Sequence, residues 1–348
     1  MPTTPVPTEA VQQAAQHVED ILTHAFEHEP TAKTLIVFDR DSPLAIGLTA
    51  GYRKARPSSQ FVEFDSEDPS HVLAAIDTLA PKDLVVLIQS TSFRLDAFRI
   101  RIELFKRGLK VIEHPHLVRM PGRQAELYLD ALAYDPAYYR GVGNALKQRI
   151  DIATECVLHS RGDKLIFPAG FEIAKQNIGD YRKLPNSGGQ FPIGEVFTES
   201  KDLEAVSGRV QISNFGDTAF TVNTPEQPIT LIVIAGRVVA TENSTPEFER
   251  VLEAIRTREE QVWLRELGLG LNRSFTPERM VSDIGSYERM CGVHLSLGAK
   301  HPSYNKPQIR KRAARFHVDV FAITESVTID GEEVYRDGAW CVDRVPVA

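Results

Sequence analysis

The chain is poor in cysteine: three in 348 residues, Cys156, Cys291 and Cys341, far apart in sequence. An odd, scattered set excludes a disulfide framework and a cysteine-rich zinc module, and it fits a reducing compartment. No run of about 18 apolar residues occurs, so no membrane span is expected. The first residues, Met1-Pro2-Thr3-Thr4-Pro5, lack the basic segment and apolar core of a secretion signal, so the expected location is the cytoplasm. Positive charge is not in excess. With 40 Lys and Arg against 47 Asp and Glu, the net charge is −7, which argues against a nucleic-acid partner. There is no Gly-x-Ser-x-Gly elbow to support serine hydrolysis. Internal repeats and low-complexity segments are also missing. What remains is 42% hydrophobic and 25% charged residues, a globular composition with length for about two domains of roughly 100–200 residues each.

The first 150 residues alternate helical and strand patterns. Ala10, Val11, Ala14, Val18, Ile21, Leu22 and Phe26 recur at helical spacing over 8–29. Apolar runs at Leu35–Phe38, Phe61–Phe64, Asp83–Ile88 and Lys110–Glu113 read as strands, with helices expected over 43–54, 69–80, 95–107 and 121–133. Short apolar strands separated by helices predict a parallel sheet of βαβ units. After about residue 150 the pattern changes. Turn signals at Ser207-Gly208, Phe215-Gly216-Asp217, Ala235-Gly236 and Asp330-Gly331 predict hairpins. One strong helix is expected over 245–265, capped by Ser244 or Thr245, with Pro246 in its first turn. The fold class is therefore α/β followed by α+β: an N-terminal parallel-sheet domain (1–150) and a mixed, antiparallel-rich C-terminal domain (151–348) that carries the candidate metal ligands.

The stretch Phe316-His317-Val318-Asp319-Val320-Phe321 alternates with a period of two. Phe316, Val318 and Val320 take one face; His317 and Asp319 share the other. An imidazole and a carboxylate side by side on a strand make half of a metal site. Further candidate ligands are His294 in Gly292-Val293-His294, Glu266 in Glu266-Leu267-Gly268-Leu269-Gly270, and Glu195 after Pro192-Ile193-Gly194. Each has a structural reading too. Glu195 could be a surface turn carboxylate, Glu266 a partner of Arg265 or Arg273, and His294 a hydrogen-bonded core residue. Together, five such donors suit one or two divalent ions per chain, with zinc, cobalt, manganese and iron all compatible.

Taken in chain order, Pro-x-Gly-Glu-Val-Phe-Thr at Glu195, Glu-x-Gly-x-Gly-x-Asn at Glu266, Gly-x-His-x-x-x-Gly at His294 and His-x-Asp at His317, these four motifs resemble the thermophilic metalloprotease family of aminopeptidases, the aminopeptidase T and S group, over roughly residues 151–343. The resemblance implies a two-metal centre held by Glu195, Glu266, His294, His317 and Asp319, in enzymes that form homodimers. It departs from the family at one place. The family has a tyrosine seven residues after the first histidine, and this chain has His301 there, with Tyr304 nearby. Either could act in acid/base work. The segment before His317 carries Lys306, Arg310, Lys311, Arg312 and Arg315; by default it is a solvated face. Alternatively, Arg310, Arg312 and Arg315 could bind a substrate carboxylate.

The implied reaction is hydrolysis of an N-terminal peptide bond or a small amide by a metal-activated water, with Glu266 bridging the ions and Glu195 a terminal ligand or general base. An alternative follows from a second resemblance, to dihydroxypyridine ring-cleaving dioxygenases with one Fe(II). There His294, His317 and Asp319 would form a two-histidine, one-carboxylate triad. A third reading is a binding protein on a degenerate aminopeptidase scaffold. Asp39-Arg40-Asp41-Ser42 reads as the cap of the next helix, and His114-Pro115-His116 as a loop.

Overall fold

Leu35, Ile36, Val37 and Phe38 are buried without alternation, as are Leu84–Ile88, because the strands carrying them are covered on both faces. They belong to a parallel five-stranded sheet in the computed structural model, which describes residues 4–64, 68, 70–95, 98–183, 186–309 and 314–346. Its strands are β1 (Thr34–Phe38), β2 (Gln60–Glu63), β3 (Leu84–Ile88), β4 (Lys110–His114) and β5 (Gly188–Gln190), in the order β5-β4-β3-β1-β2. Helices α1 (Thr8–Asp20), α2 (Pro43–Ala55), α3 (Ser70–Ile76), α4 (Ile100–Lys106) and α5 (Arg123–Asp130) accompany it. Ser42 caps α2 by accepting from the Ala45 N–H at 3.2 Å, and Pro43 opens its first turn. Leu35, Val37, Val85, Leu87 and Val111 form one core with Val72, Ile76, Ile100 and Leu104.

The expected βαβ alternation is present, with shifted boundaries. The first helix ends at Asp20 and continues as one π-helical turn, Ile21–Ala25. Part of the helix expected over 95–107 is instead a short strand pair, Arg94–Leu95 with Phe98–Arg99; residues 96 and 97 lie outside the described ones. The fifth strand was not expected. Gly188-Gly189-Gln190 has no β-rich composition, and it pairs with β4 through backbone groups. A Cβ at Gly188 would fall 1.8 Å from the Val111 carbonyl oxygen, so only glycine fits there.

At the end of β4, His114 is fully buried between two tyrosines. The Tyr52 hydroxyl donates to its Nε2 (2.8 Å), its Nδ1–H donates to the Tyr128 hydroxyl (2.9 Å), and Tyr128 donates to the Phe191 carbonyl (2.8 Å). Each group is used once if the imidazole is neutral. Burial pushes its pKa down to about 3.

The second unit is built on an antiparallel sheet of 14 strands. Those that matter for the site are β6 (Glu195–Glu199), β7 (Ser207–Gly216), β8 (Leu264–Gly270), β9 (Gly292–Leu297) and β10 (Val318–Ala322), adjacent in the order β6-β8-β9-β10-β7. Two further helices are α6 (Pro136–Ile152) and α7 (Pro246–Glu259). Thr245 caps α7, accepting from Phe248. The helix stops at Glu259, short of the expected residue 265, because Leu264 and Arg265 already belong to β8. Ser207-Gly208 starts β7 and is not a turn; the Ala235-Gly236 and Asp330-Gly331 turns stand where expected. Gly141 and Gly143 lie inside α6.

The chain is not cut once, at residue 150. One unit comprises Met1–Pro136, Gly179–Ile193 and Arg279–Ser286, the other Ala137–Ile178, Gly194–Glu278 and Tyr287–Ala348. Among the described residues no helix is long and apolar enough to cross a membrane.

Candidate metal centre

Register brings the site together. Residues directly paired in an antiparallel ladder project to the same face, and so do residues two apart on one strand. Phe197 pairs with Gly268, Gly268 with His294, and His294 with Phe321; Glu195 pairs with Gly270, and Ser296 with Asp319. Glu195, His294 and Asp319 therefore share one face of the second unit's sheet. Glu266 lies within a register shift of β8, between Leu264 and Leu267, and its N–H donates to the Ser296 hydroxyl at 3.2 Å.

The side chains converge in two groups among the described residues. Glu195, Glu266 and His294 form one, and Glu266, His317 and Asp319 the other; in each group the donor atoms lie within 4.8 Å of one another. Glu266 is common to both. His294 Nε2 is 3.3 Å from Glu195 Oε1 and 3.3 Å from Glu266 Oε1. His317 Nε2 is 3.2 Å from Asp319 Oδ1, although His317 itself falls just ahead of β10 rather than inside it. Glu195, Glu266, His294 and Asp319 are all buried. The triad of His294, His317 and Asp319 is not the set that converges: His294 falls in the first group, and Glu266 completes the second.

The donors fit a cation. His317 Nδ1–H donates to the Lys300 carbonyl at 3.2 Å, which leaves a lone pair on Nε2 facing the lone pairs of Asp319 Oδ1. That buried oxygen has no hydrogen-bond partner, and neither has His294 Nδ1. A proton or a metal ion has to stand between such atoms. With protons alone, burial would lower His317, but Asp319 and then Glu266 outweigh it and raise its pKa to about 10. Burial likewise opposes a charge on His294, yet hydrogen bonds to Glu195 and Glu266 hold its pKa well above the ordinary value. For Glu266 burial acts upward and is overcome by His294, His301 and His317, so its carboxyl stays ionised far below the usual range.

His301, at the departure from the resembling family, has Nε2 2.8 Å from Glu266 Oε2, and its side chain is fully buried. The Ser303 N–H donates to its Nδ1 (3.1 Å), so the neutral ring carries its proton on Nε2. That N–H is close to Glu266 without being aligned as a hydrogen bond to it. Tyr304 points elsewhere. Its hydroxyl donates to the Ile173 carbonyl (2.8 Å), while its ring packs 4.8 Å from that of His301. Arg310 and Arg312 lie outside the described residues. Arg315 is exposed, with Nη1 on the Ala314 carbonyl at 3.3 Å.

Three features were not read in the sequence. Arg265 does not pair with Glu266. It is fully buried against Glu199 (Nε to Oε2, 2.7 Å; Nη2 to Oε1, 3.1 Å), and its guanidinium also reaches the carbonyls of Ala299 and Tyr304. Lys306 joins this network at Glu172 (2.6 Å), so the loop bearing His301 is fastened from both ends. Arg273 lies over the Tyr138 ring. Arg289, from the turn before β9, places Nη1 2.9 Å from Glu195 Oε2 and also touches Glu288. Burial raises the Glu288 pKa to about 8; Arg289 opposes that, and Glu195 and Asp319 reinforce it. No local motif announces the Arg265–Glu199, Lys306–Glu172 and Arg289–Glu195 pairs, which join ordinary charged residues far apart in sequence.

No protein-family profile and no curated protein sequence matches the chain. Two solved structures are similar in fold. The 2,5-dihydroxypyridine dioxygenase from Pseudomonas putida KT2440 superposes with a TM-score of 0.61 at 16% identity, covering 97% of this chain and 98% of that one. Wild-type AmpT (aminopeptidase T) from Thermus thermophilus gives 0.56 at 15% identity, covering 95% and 99%. At this identity the two likenesses establish the shared architecture.

Proposed function

We propose that the chain is a divalent-metal-dependent enzyme that hydrolyses an N-terminal peptide bond or a small amide. One observation carries this reading: Glu266 belongs to both converging groups, as a carboxylate bridging two ions would. Glu195 and His294 would complete one position, His317 and Asp319 the other. Bound divalent ions would supply a Lewis acid and a water made acidic near neutral pH. The protein's own part is positional. The Lys300 carbonyl fixes the His317 tautomer, and the Ser303 N–H fixes that of His301, whose Nε2–H is placed to donate a hydrogen bond to a carbonyl oxygen as negative charge develops on it. Tyr304 braces that ring. The motif resemblance adds a homodimer, which light scattering would read.

The second reading, a mononuclear Fe(II) ring-cleaving dioxygenase, draws on one feature. Glu266, His317 and Asp319 alone form a three-donor set, and one of the similar structures is a 2,5-dihydroxypyridine dioxygenase. Elemental analysis of the purified protein, with an oxygen electrode and an amide-release assay, separates the two. Two ions per chain and amide release without oxygen uptake support hydrolysis. One iron per chain with oxygen consumption on a dihydroxypyridine overturns it.

A further inference from the structure

Within the candidate metal centre the protein supplies a cation of its own. Arg289 is buried, and its Nη1 lies 2.9 Å from Glu195 Oε2. Glu195 is thereby divided: Oε1 faces His294 Nε2 at 3.3 Å, and Oε2 is engaged by the guanidinium. The delivery of Arg289 is built into the strands. Gly270 pairs with Glu195 on β6, and a Cβ at Gly270 would fall 1.9 Å from the Met290 carbonyl and 2.9 Å from that of Arg289. The turn can press onto the strand, and Arg289 can reach Glu195, only because residue 270 has no side chain. Asn272 N–H donates to the Arg289 carbonyl at 2.8 Å, which pins the same turn.

The second group differs. Glu266, His317 and Asp319 have no arginine or lysine in ion-pair contact among the described residues, and Asp319 Oδ1 has no hydrogen-bond partner. A divalent ion there meets two carboxylates and a lone pair. An ion at Glu195, Glu266 and His294 meets a guanidinium already bound to one of its carboxylates, and repulsion between like charges a few ångströms apart is strong away from water.

We infer that the two positions are unequal by construction: Glu266–His317–Asp319 is tight and fills first, whereas Arg289 holds Glu195–Glu266–His294 as a weak second position. The inference rests on the metal-dependent reading and goes beyond it. The chain would pass from a one-ion to a two-ion form as divalent metal becomes abundant, and Arg289 would set where that change falls.

Titration of the metal-free protein with Mn(II), by calorimetry and electron paramagnetic resonance, tests this. The first ion should bind at least about tenfold tighter than the second. At one equivalent the spectrum should be that of an isolated Mn(II), with spin coupling only beyond it. Arg289→Met should strengthen the second step about tenfold or more and leave the first unchanged. Arg289→Lys keeps a cation and should keep the gap, and His317→Ala should remove the tight step alone. These variants hold the question open to test if Arg289→Met fails to fold. Two equal steps in the natural protein, or an unchanged second step in a folded Arg289→Met, overturn the inference while leaving metal dependence standing. Failure to take up any Mn(II), Zn(II) or Fe(II) overturns the metal reading itself.

Discussion

The imidazole of His294 occupies the space where residue 268 would carry a side chain: a Cβ built at Gly268 would fall 2.0 Å from His294 Nε2. The two are direct partners on neighbouring strands, and Gly268 has an ordinary backbone conformation, so the glycine is required by the neighbouring ring and not by its dihedral angles. In Glu266-Leu267-Gly268-Leu269-Gly270 each glycine admits one thing: Gly268 the ring of His294, Gly270 the turn that brings Arg289.

Gly268→Ala should therefore displace His294. A cost of about 2–4 kcal/mol is expected, typical of overpacking a buried site that cannot give way. Denaturant unfolding would measure it, and metal content should drop by one ion per chain. A variant with natural stability and full metal content would show that the ring moves freely.

His301 is expected to matter through its Nε2–H. His301→Ala should lower kcat by about 100-fold or more, the usual size of one hydrogen-bond donor to a developing oxyanion, with the metal content unchanged. His301→Tyr should recover part of it by returning a hydroxyl donor. If the alanine variant loses an ion together with its activity, His301 is a ligand and the donor role is wrong.

Acid should unfold the first unit early. His114 is held neutral with a pKa near 3, and burial, helped by Arg56 and Lys110, lowers that of His28 to about 4. The unfolded chain takes up protons at both below about pH 6.5 while the folded one does not, so stability is full above that pH and falls as the pH drops towards 4. Each pH unit in that window costs about 1.4 kcal/mol per group. Of the stability lost between pH 7 and 5, about 2 kcal/mol should be absent in His114→Gln, after its own baseline cost is subtracted. Equal pH sensitivity in the two proteins would remove His114 as the cause.

Breaking the buried Arg265–Glu199 pair should be severe. Arg265→Met leaves the buried Glu199 carboxylate with Lys306, 3.6 Å away, as its remaining counter-charge and should cost about 3 kcal/mol, whereas Arg265→Met with Glu199→Leu should recover much of that. Because Arg265 also holds the Ala299 and Tyr304 carbonyls, both variants should raise hydrogen exchange across 299–306. Unchanged exchange in that loop would show that other contacts hold it.

The parts of this molecule that could be read in the sequence were those with a local signature. Continuous apolar runs gave the central parallel strands, since Leu35–Phe38 and Leu84–Ile88 are buried on both faces. The period of two around His317 and Asp319 put both on one side, where they are 3.2 Å apart. The expected ligands Glu195, Glu266, His294, His317 and Asp319 do come into two converging groups. What stayed hidden was set by pairing at a distance. Gly188–Gln190 becomes a strand only because β4 offers an edge. Arg265 chose Glu199, 66 residues away, over its neighbour Glu266. Arg289 reads as one more charged residue until β8 and β9 are side by side, and the hydroxyl of Tyr304 had a backbone carbonyl to satisfy that no spacing could foretell.

The edge strand Gly188–Gln190 and the segment Arg279–Ser286 belong to the first unit although long stretches of the second precede each of them. During translation the leading unit therefore cannot close its structure when residue 136 leaves the ribosome. It must wait, partly assembled, until more than half of its neighbour has emerged. Truncation at residue 150 should accordingly yield an aggregation-prone fragment, not an autonomous domain.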